Sequence, residues 1–377
     1  LAKFLKFKVF DENSEKFVFR LKPDDFKGKP FTFNNNVSSD ILGKIKSKGN
    51  FYLTEKEVAN GIHPHYDFVS KKNAEESNGW FEKGEGIFGL SNSEKRNLGL
   101  SKDELKLIKP YYTTEELGRY YANPKNSLWI IYTGSEFKNP KSMQPYPNLK
   151  RHLDRFKDVI TSDNKPYGLH RAREERFFKG ESIVAQRKCP NRPSFTYTDF
   201  DCYVSATFYV IKTERLDMKY LTALLNSKLI EFWLRNKGKM QGNNFQIDKE
   251  PLLDIPIYKT DNVIPFKRFV GYIIFLKSQN FENPSDQLIP TYFEQIIDGM
   301  VYELYFPELL KKHNREIIRH LGELPEFTDG MSDEQKMKIC KKVFDRLNDK
   351  EHPVRVNLFY MNSIPEIAII EGKNENN

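Results

Sequence analysis

The sequence predicts an α+β fold in which a mixed α/β region is followed by a helical C-terminal region. Short apolar runs typical of strands recur in the first two thirds of the chain, as in Leu128–Tyr132 and Ile183–Gln186. From Pro265 onward the apolar residues recur with the helical period instead. We therefore predict three parts: a β-rich N-terminal segment over residues 1–56, a mixed domain over 57–260 and a helical domain over 261–377.

The composition is that of an ordered, multidomain protein. A chain of 377 residues is long enough for two or three domains with their own cores. Charged residues make up 30% of it, but 14% of the residues are aromatic, which argues against general disorder. No run approaches the ~18 consecutive apolar residues of a membrane span. Three cysteines are too few for a disulfide framework, so we expect a reducing, cytoplasmic location.

The first residues predict strands that belong to the end of a preceding domain. The chain begins with Leu-Ala-Lys-Phe, which is neither an initiator methionine nor a signal peptide. We therefore expect this chain to be a C-terminal part of a longer protein. Lys6–Phe10 and Lys16–Phe19 alternate lysine with apolar residues at the period of half-buried strands. Asp40–Ile45 then predicts a short helix.

Between residues 100 and 157 the sequence predicts two helices and a buried strand. Leu100–Pro110 predicts a helix, because Ser101 is a suitable N-cap and Pro110 would end it. Leu128–Tyr132 predicts the strand. The second helix begins within Leu149–Phe156. The polar face of this second helix carries four cations, Lys150, Arg151, Arg155 and Lys157.

The centre of the chain predicts paired strands, a long helix and a polar loop. Ser194–Thr198 and Val204–Ile211 predict two strands that pair with each other. A helix capped by Asp217 is predicted to run to about Asn236. One face of that helix predicts core packing through Leu221, Leu225, Leu229 and Phe232. Lys237–Phe245 predicts a loop rich in side chains that contact bases and phosphates.

The last third of the chain predicts helices with clear apolar stripes. One stripe consists of Phe293, Ile296, Ile297, Met300, Val301 and Leu304. Ser332 and Gln335 form a capping box before a further helix. The apolar face of that helix holds Met337, Cys340, Phe344 and Leu347. We interpret both stripes as core or interface, and we predict a frayed end at Lys373–Asn377.

Three short motifs suggest chemistry but lack the context that it needs. His63 and His65 could be two ligands on one side of a strand, but no nearby Cys or His cluster completes a metal site. Gly84–Gly89 spells GxGxxG, yet polar, turn-like residues precede it instead of a strand, so we interpret it as a turn. Glu104–Lys106 has the Glu-x-Lys of some nucleases without their Pro-Asp strand. We predict no catalytic, cofactor or metal site in this chain.

The charge is unevenly distributed along the chain. Between Lys150 and Arg192 there are twelve Lys or Arg residues against six Asp or Glu, whereas residues 288–377 have twelve against sixteen. A basic centre beside an acidic tail favours a binding region for a polyanion. A lysine-rich composition inherited from an AT-biased genome is an equally good explanation of the composition alone.

The candidate DNA-binding residues lie in the basic centre and in the polar loop that follows it. We expect the following cations to contact phosphates: Lys150, Arg151, Arg155, Lys157 and Lys179. We expect a few of the following to reach base edges: Arg171, Arg173, Arg176, Arg187, Arg192, Gln241, Asn243 and Asn244. Lys188 and Lys239 complete the set. For any single arginine the alternative is a solvated or salt-bridged surface group.

A series of short blocks follows a fixed order along the chain. The blocks are Asn60–Ile62 with Phe68-Val69, Tyr146–Leu149 with Leu153 and Phe156, Arg173–Phe177 with Ile183 and Lys188, Tyr203, Leu221–Leu229, and Leu253–Pro256. Together they resemble the C-terminal part of adenine-specific DNA methyltransferases of bacterial restriction–modification systems. The likeness is greatest to the TaqI-like specificity domain of type IIG proteins. Residues 288–306 and Ser363-Ile364 are also similar to the tail of those proteins.

The resemblance implies recognition of duplex DNA by this chain and catalysis elsewhere. Catalysis in the family needs an Asn-Pro-Pro-aromatic tetrapeptide and a glycine-rich loop for S-adenosylmethionine. Asn123–Asn126 and Asn139–Lys141 begin with Asn-Pro but lack the second proline and the aromatic residue. We therefore expect the methyl-transfer domain, its S-adenosylmethionine and any nuclease domain to lie upstream.

Two other functions remain to be weighed against DNA recognition. The chain could be an assembly module whose acidic helical tail docks on a methyltransferase or another partner subunit. A hydrolase is disfavoured, because the sequence has no evident carboxylate cluster, Cys–His pair or nucleophilic serine motif.

Overall fold

The chain divides into two compact units whose bounds differ from the predicted domains. The computed structural model describes residues 3–6, 17–20, 36–281 and 283–373. One unit, here the sheet unit, comprises Glu55–Arg187 and Ser194–Glu214. The other, the helical unit, comprises Leu1–Thr54, Lys188–Pro193 and Arg215–Asn377. The predicted mixed domain over 57–260 thus contributes to both units, whereas residues 261–377 fall within one.

The described residues form an α+β structure, as the sequence predicts. Their strands are β1 (Lys3–Lys6), β2 (Phe17–Arg20), β3 (Val58–Asn60), β4 (Gly89–Ser91), β5 (Ile108–Tyr112), β6 (Leu128–Ile131), β7 (Ser182–Gln186), β8 (Lys188–Pro190), β9 (Phe195–Thr198), β10 (Tyr203–Val204), β11 (Phe208–Ile211), β12 (Lys239–Gln241) and β13 (Asn244–Gln246).

Half of the helices follow the last strand in the sequence. The helices are α1 (Asn36–Lys48), α2 (Lys71–Glu76), α3 (Asn92–Asn97), α4 (Lys102–Leu105), α5 (Pro147–Asp154), α6 (Met218–Leu225), α7 (Lys228–Lys237), α8 (Lys249–Leu253), α9 (Ile264–Ser278), α10 (Leu288–Tyr305), α11 (Pro307–Lys312), α12 (Asp333–Leu347), α13 (Pro353–Met361) and α14 (Pro365–Ile370). The predicted helix at Asp40–Ile45 lies within α1.

The sheet unit contains two four-stranded sheets. One has the order β10-β5-β6-β4, in which β10 is parallel to β5 and the other pairs are antiparallel. The second has the order β3-β11-β7-β9 and is antiparallel throughout. Helix α5 packs on the core of this unit through Leu149 and Leu153, and Phe156 follows it, each fully buried. The opposite, polar face of α5 carries the cations that the sequence predicts there.

The helical unit is built around α10. The apolar stripe predicted for this helix is buried at Phe293, Ile296, Ile297, Met300 and Val301. These residues pack α10 against α9 and other helices of the same unit. The predicted capping box at Ser332 is present at the start of α12, where Gln335 completes it. The helical period of the last third was therefore a correct guide to its structure.

Two elements between residues 217 and 246 differ from the prediction. The single helix predicted from Asp217 is two helices, α6 and α7, although Asp217 caps the first of them as expected. Ser227 accepts a hydrogen bond from the Ile230 N–H at 3.3 Å and begins a new helix, because serine is a favourable N-cap. The loop predicted over Lys237–Phe245 is a β-hairpin, formed by β12 and β13.

The helix predicted over Leu100–Pro110 was largely wrong. Its start is correct, because Ser101 caps α4, but α4 ends at Leu105 and Pro110 lies inside β5. The segment carries Tyr111 and Tyr112, which are buried in the sheet. Aromatic side chains suit a half-buried strand, so packing outweighs the helical pattern of the preceding residues.

The strand pairing predicted in the centre was also wrong. Ser194–Thr198 and Val204–Ile211 do contain strands, but they do not pair with each other: β9 pairs with β7, while β11 pairs with β7 and β3. The predicted strand at Val204 is divided, since Tyr203–Val204 pairs with β5 in the other sheet. Register between non-adjacent strands depends on tertiary packing that a single sequence does not display.

The two chain ends are described only in part. Strands β1 and β2 pair in antiparallel fashion and overlap the alternating segments predicted there. Residues 7–16, most of the predicted strand Lys6–Phe10 among them, lie outside the described residues. So do residues 374–377 of the predicted frayed end.

Candidate nucleic-acid interface

Three strands of the helical unit form a small sheet with one polar face, which we call the hairpin sheet. It consists of β12, β13 and β8, in that order and all antiparallel. Met240, Phe245 and Cys189 stand opposite one another, and Phe245 and Cys189 are buried. Successive side chains of a strand point to opposite faces, so the next positions form the other face. That face carries Lys188, Pro190, Lys239, Gln241, Asn244 and Gln246.

The tip of the hairpin presents amides to solvent. Gln241 pairs with Asn244, so the turn consists of Gly242 and Asn243. Gly242 has a φ of 59°, the left-handed conformation that a tight hairpin turn favours at its first central residue. Gln241, Asn243 and Asn244 are all exposed. Amide side chains of this kind can form paired hydrogen bonds with a base edge, adenine above all.

A nearly buried carboxylate holds the hairpin sheet to α7. Glu231 forms ion pairs with Arg192 at 2.7 Å, Lys228 at 3.2 Å and Arg235 at 3.5 Å. The Arg235 guanidinium also lies over the Phe245 ring, 4.8 Å from its centroid. Arg192, predicted to contact DNA, is therefore engaged in structure, which was the alternative explanation for each arginine.

In the sheet unit, three of the four cations predicted for this helix, Lys150, Arg151 and Arg155, line one open groove of about 560 Å³. Lys150 forms an ion pair with Asp154 at 2.6 Å, and Arg155 forms one with Glu85 at 2.8 Å. Arg151 donates to the side-chain oxygen of Asn148 at 3.4 Å and forms no ion pair among the described residues. Lys157 follows the helix and is exposed.

Helix α5 is fixed at its start by Glu104, the glutamate of the rejected Glu-x-Lys motif. The carboxylate is fully buried and accepts hydrogen bonds from the backbone N–H groups of Asn148 at 2.6 Å, Leu149 at 3.0 Å and Ser101 at 2.8 Å. Burial opposes ionisation, but these hydrogen bonds outweigh it and lower the pKa of Glu104 to about 2. Glu104 is thus a structural carboxylate that caps α5.

The arginines after residue 170 are held by local contacts of the sheet unit. Arg171 pairs with Asp163 at 3.1 Å. Arg173 has a φ of 71° and donates to the Gly61 carbonyl at 3.4 Å. A Cβ at Gly61 would overlap the backbone of Ser205, so only glycine fits this position. Arg187 donates to the Ala206 carbonyl at 3.2 Å.

Two further predicted cations are paired with neighbouring carboxylates. Arg176 pairs with Glu174 at 2.8 Å, and Lys179 pairs with Glu175 at 3.5 Å. On the hairpin sheet, Lys239 pairs with Asp248 at 3.5 Å. The predicted set is divided between the two units: Lys188, Arg192, Lys239, Gln241, Asn243 and Asn244 belong to the helical unit, and the other nine residues belong to the sheet unit.

Three histidines come together beside Arg171. The ring centroids of His63 and His170 are 5.1 Å apart, those of His65 and His170 5.5 Å, and those of His63 and His65 6.2 Å. No group of His, Cys, Asp or Glu residues arranged to hold a metal ion occurs in the described part of the chain. His170 was missed by sequence analysis, because it lies over a hundred residues from His63 and only the fold joins them.

Gln246 was missed as well, although a signal for it was present. Lys239, Gln241, Asn244 and Gln246 are spaced two apart within their strands, the pattern of a single polar sheet face. The segment was interpreted as a loop, so this alternation was not used. Gly84–Gly89, by contrast, leads into β4, which is antiparallel to β6, and so lacks the parallel βαβ context of a dinucleotide site.

The centre of the chain matches the model of a known protein family. Residues 109–257 match the TaqI-like C-terminal specificity domain. Over these residues the chain is therefore similar to that family of specificity domains. The resemblance predicted from the ordered blocks is confirmed. The TaqI-like domain includes α5, Arg171, Arg173 and all three strands of the hairpin sheet, but not His63, His65 or most of the helical C-terminal region.

Curated relatives of the chain are restriction–modification proteins. The type II methyltransferase M.HindII of Haemophilus influenzae is 23% identical over 145 residues, which are 33% of this chain and 27% of that protein. The putative type II restriction enzyme and methyltransferase RM.MjaORFECS2P of Methanocaldococcus jannaschii is 24% identical over 242 residues, 59% of this chain and 20% of that protein. The chain thus matches about a quarter or less of each relative's length.

Among solved structures, the type IIL restriction–modification enzyme MmeI in complex with DNA aligns with 91% of this chain and 41% of its own. The alignment has a TM-score of 0.48 and 10% sequence identity.

Within the described residues, no helix is both long and apolar enough to cross a bilayer.

Proposed function

We propose that this chain is the sequence-specific DNA recognition part of a type IIG restriction–modification protein that methylates adenine. The observation that carries the proposal is the exposed lysine and amide face of the hairpin sheet, which lies within the TaqI-like specificity domain. A two-stranded ribbon is narrow enough to enter the major groove of duplex DNA. Its amides match the donor and acceptor pattern of base edges there.

Two kinds of contact would contribute to DNA binding, those to phosphates and those to base edges. The cations of α5 lie on a helix surface around an open groove, which suits phosphates, and each such contact adds about −0.9 to the slope of log affinity against log salt. Gln241, Asn243 and Asn244 lie at a hairpin tip, which suits base edges. Each paired hydrogen bond to a base gives roughly 1–3 kcal/mol of discrimination.

The chemistry would belong to another part of the full-length protein. That part would bind S-adenosylmethionine and receive the adenine flipped from the duplex, and it would function in a bacterial cytoplasm. The residues of this chain would hold the duplex so that the target adenine faces that pocket. None of the three Asn-Pro segments of this chain, at Asn123, Asn139 and Asn283, has the residues that orient a flipped adenine.

The test is selection of preferred duplexes from a random pool by this 377-residue chain, followed by fluorescence anisotropy titrations. We expect one recovered sequence to bind far more tightly than scrambled duplexes. Replacing Gln241, Asn243 and Asn244 together with alanine should reduce that preference roughly 10- to 100-fold while leaving non-specific affinity nearly unchanged. The control replaces Gln279, Asn280 and Gln287, three amides outside the specificity domain, and should retain the preference.

Two results would contradict the proposal. The chain could bind every duplex equally weakly, or the alanine variant could keep the full preference of the parent. The first outcome would remove sequence-specific recognition altogether. The second would leave recognition in place but remove the hairpin sheet as its source.

A second candidate function is assembly with a methyltransferase subunit. Phe359 and Tyr360 at the end of α13 are 74% and 47% exposed, a large apolar surface for one helix. Light scattering of this chain with a matching methyltransferase domain tests the idea. A complex that forms without DNA and is lost in the Phe359→Ala, Tyr360→Ala variant would favour assembly, whichever function the hairpin sheet has.

A further inference from the structure

The three-histidine cluster, His63, His65 and His170, lies on segments of the sheet unit that are joined by backbone hydrogen bonds. The backbones of His63 and Arg171 exchange two hydrogen bonds, with the His63 N–H donating at 3.0 Å and the Arg171 N–H at 2.9 Å. The His65 ring contacts the Thr161 hydroxyl at 3.1 Å through Nδ1. Two of the rings are exposed and the third is half-buried, so a ligand can reach them from solvent.

The surroundings of the cluster contain cations and carboxylates in nearly equal number. Arg171 and Arg173 lie on the segment that also bears His170. Asp163 faces the cluster from the preceding loop, 3.1 Å from the Arg171 guanidinium and 3.6 Å from His170 Nδ1. Asp67 follows His65 in the chain and acts on His63 in the opposite sense to the arginines. The phenol of Tyr66 packs edge-on against His65.

These neighbours disfavour the charged form of His63. Burial lowers the pKa of His63 below its ordinary value of 6.5, and the nearby His170, His65 and Arg173 lower it further. Asp67 opposes this effect only in part. An anion brought against the rings would reverse the balance, because a negative charge within a few ångströms favours the imidazolium form.

We propose that His63, His65 and His170 form, with Arg171, a binding site for a phosphate of the DNA backbone, and that the phosphate draws a proton from solvent onto the cluster. The inference rests on the proposed DNA-recognition function and adds a contact made by residues that no sequence motif indicated. Arg171 and His170 belong to the TaqI-like specificity domain, whereas His63 and His65 precede it, so the site would extend the DNA contact beyond that domain.

Proton uptake on DNA binding makes the affinity depend on pH in a predictable direction. A group whose pKa is higher in the complex than in the free protein makes the complex more stable as pH falls toward the free pKa. For His63 that free pKa lies below 6.5, so the affinity should rise as pH falls from 8 through 7 toward 6. Each proton taken up can change the affinity by at most about tenfold per pH unit.

The experiment uses the whole chain and its selected duplex, with anisotropy titrations at pH 6.0, 7.0 and 8.0. Ionic strength is constant, and EDTA is present so that a metal ion bridging the imidazoles cannot contribute. The parent should bind about fivefold more tightly or better at pH 6.0 than at pH 8.0. The His63→Gln, His65→Gln, His170→Gln variant should lose most of that gain and bind within about twofold of the parent at pH 8.0.

A matched control replaces two histidines of the helical unit. His313 and His320 lie in the helical unit, and replacing both with glutamine should leave the pH dependence unchanged. Because the substituted rings of the cluster are exposed or half-buried, the folded state is expected to survive, which thermal unfolding checks.

A gain-of-binding variant tests the same site independently. Asp163→Asn removes the carboxylate that competes with a phosphate for Arg171 and His170, so affinity at pH 8.0 should increase about threefold. The control Asp345→Asn, on α12, should leave the affinity unchanged.

The outcomes separate the two proposals. Specific binding whose pH dependence survives in the triple glutamine variant, or an Asp163→Asn variant that binds no better than the parent, overturns the phosphate site alone. Failure of the chain to bind any duplex at every pH and salt concentration overturns both.

Discussion

Glu104 of the sheet unit and Glu231 of the helical unit hold two candidate DNA-contacting elements in place by opposite means. Glu104 accepts hydrogen bonds from the backbone N–H groups of Asn148, Leu149 and Ser101, and it forms no ion pair within the described part of the chain. Glu231 is surrounded by three cations, Arg192, Lys228 and Arg235. Backbone dipoles satisfy the first carboxylate and side-chain charge satisfies the second.

The difference determines what each element offers to a ligand. Because Glu104 requires no cation, Lys150, Arg151 and Arg155 remain on the outer face of α5. Because Glu231 engages the arginines near the hairpin sheet, that sheet offers mainly amides. Phosphate contacts position a protein on DNA and base contacts specify the sequence, so the two elements suit different halves of recognition. A count of arginines along the sequence does not separate these cases.

The largest expected effect is the loss of the Glu104 charge. Glu104→Gln should lower the free energy of unfolding at pH 7 by about 3 kcal/mol, because a pKa held at about 2 instead of 4.5 represents a stabilisation of that order. The stabilisation is present above pH 4.5 and disappears as pH falls toward 2. Urea unfolding at pH 7 and pH 3 should therefore show a smaller difference between variant and parent at pH 3.

The control for Glu104 is an exposed carboxylate of the same unit. Glu115→Gln should change the unfolding free energy by less than about 0.5 kcal/mol. If Glu104→Gln were equally harmless, the carboxylate would not be the anchor of α5, and the contrast between the two glutamates would be lost.

A smaller effect is expected at Glu231, because its partners keep part of their hydration. Glu231→Gln should destabilise the protein by about 2 kcal/mol, less than a fully buried pair would, since the cations are 27–43% exposed. The variant should also bind non-specific DNA more tightly, because Arg192 is released. Urea unfolding and anisotropy with a scrambled duplex measure the two effects.

Glu250→Gln, on α8 of the same unit, is the control for released charge. It removes an equal charge without releasing a structural arginine. Equal gains in non-specific affinity for the two variants would mean that net charge alone is responsible.

The smallest effect should appear in salt dependence at α5. Arg151→Ala should reduce the slope of log affinity against log salt by about 0.9, the contribution of one phosphate contact. The double variant Lys150→Gln, Asp154→Asn removes an ion pair of zero net charge and should reduce the slope less. Titrations at four salt concentrations distinguish them, and a larger loss for the neutral pair would reverse the assignment.

The sequence predicted correctly those features that depend only on residues close together in the chain. The stripe of α10 and the capping boxes at Ser101 and Ser332 are set by neighbours within a few residues, and the structure contains all three. The strand pairing of Phe195–Thr198 depends on which distant strand lies beside it, and that prediction was wrong. Helix α5 was predicted, but its anchoring by Glu104 was not, because the partners of Glu104 on α5 lie more than forty residues away in the sequence.

In the candidate site, too, the residue types were predictable from the sequence, whereas the contacts between distant residues were not. The residue types of the basic centre predicted a polyanion-binding surface. Whether a given guanidinium faces solvent or a carboxylate depends on contacts such as Arg192 with Glu231, which are distant in sequence. The joining of His63 with His170 is likewise a product of the fold.

The path of the chain through the hairpin sheet limits how its specificity could be transplanted. Lys188–Pro193 supplies an edge strand to this sheet, while the residues on either side of the segment belong to the sheet unit. A graft of β12 and β13 alone would leave the recipient without the third strand and with Phe245 uncovered. An exchange between relatives therefore has to carry the whole stretch from before Lys188 to beyond Gln246 as a single cassette.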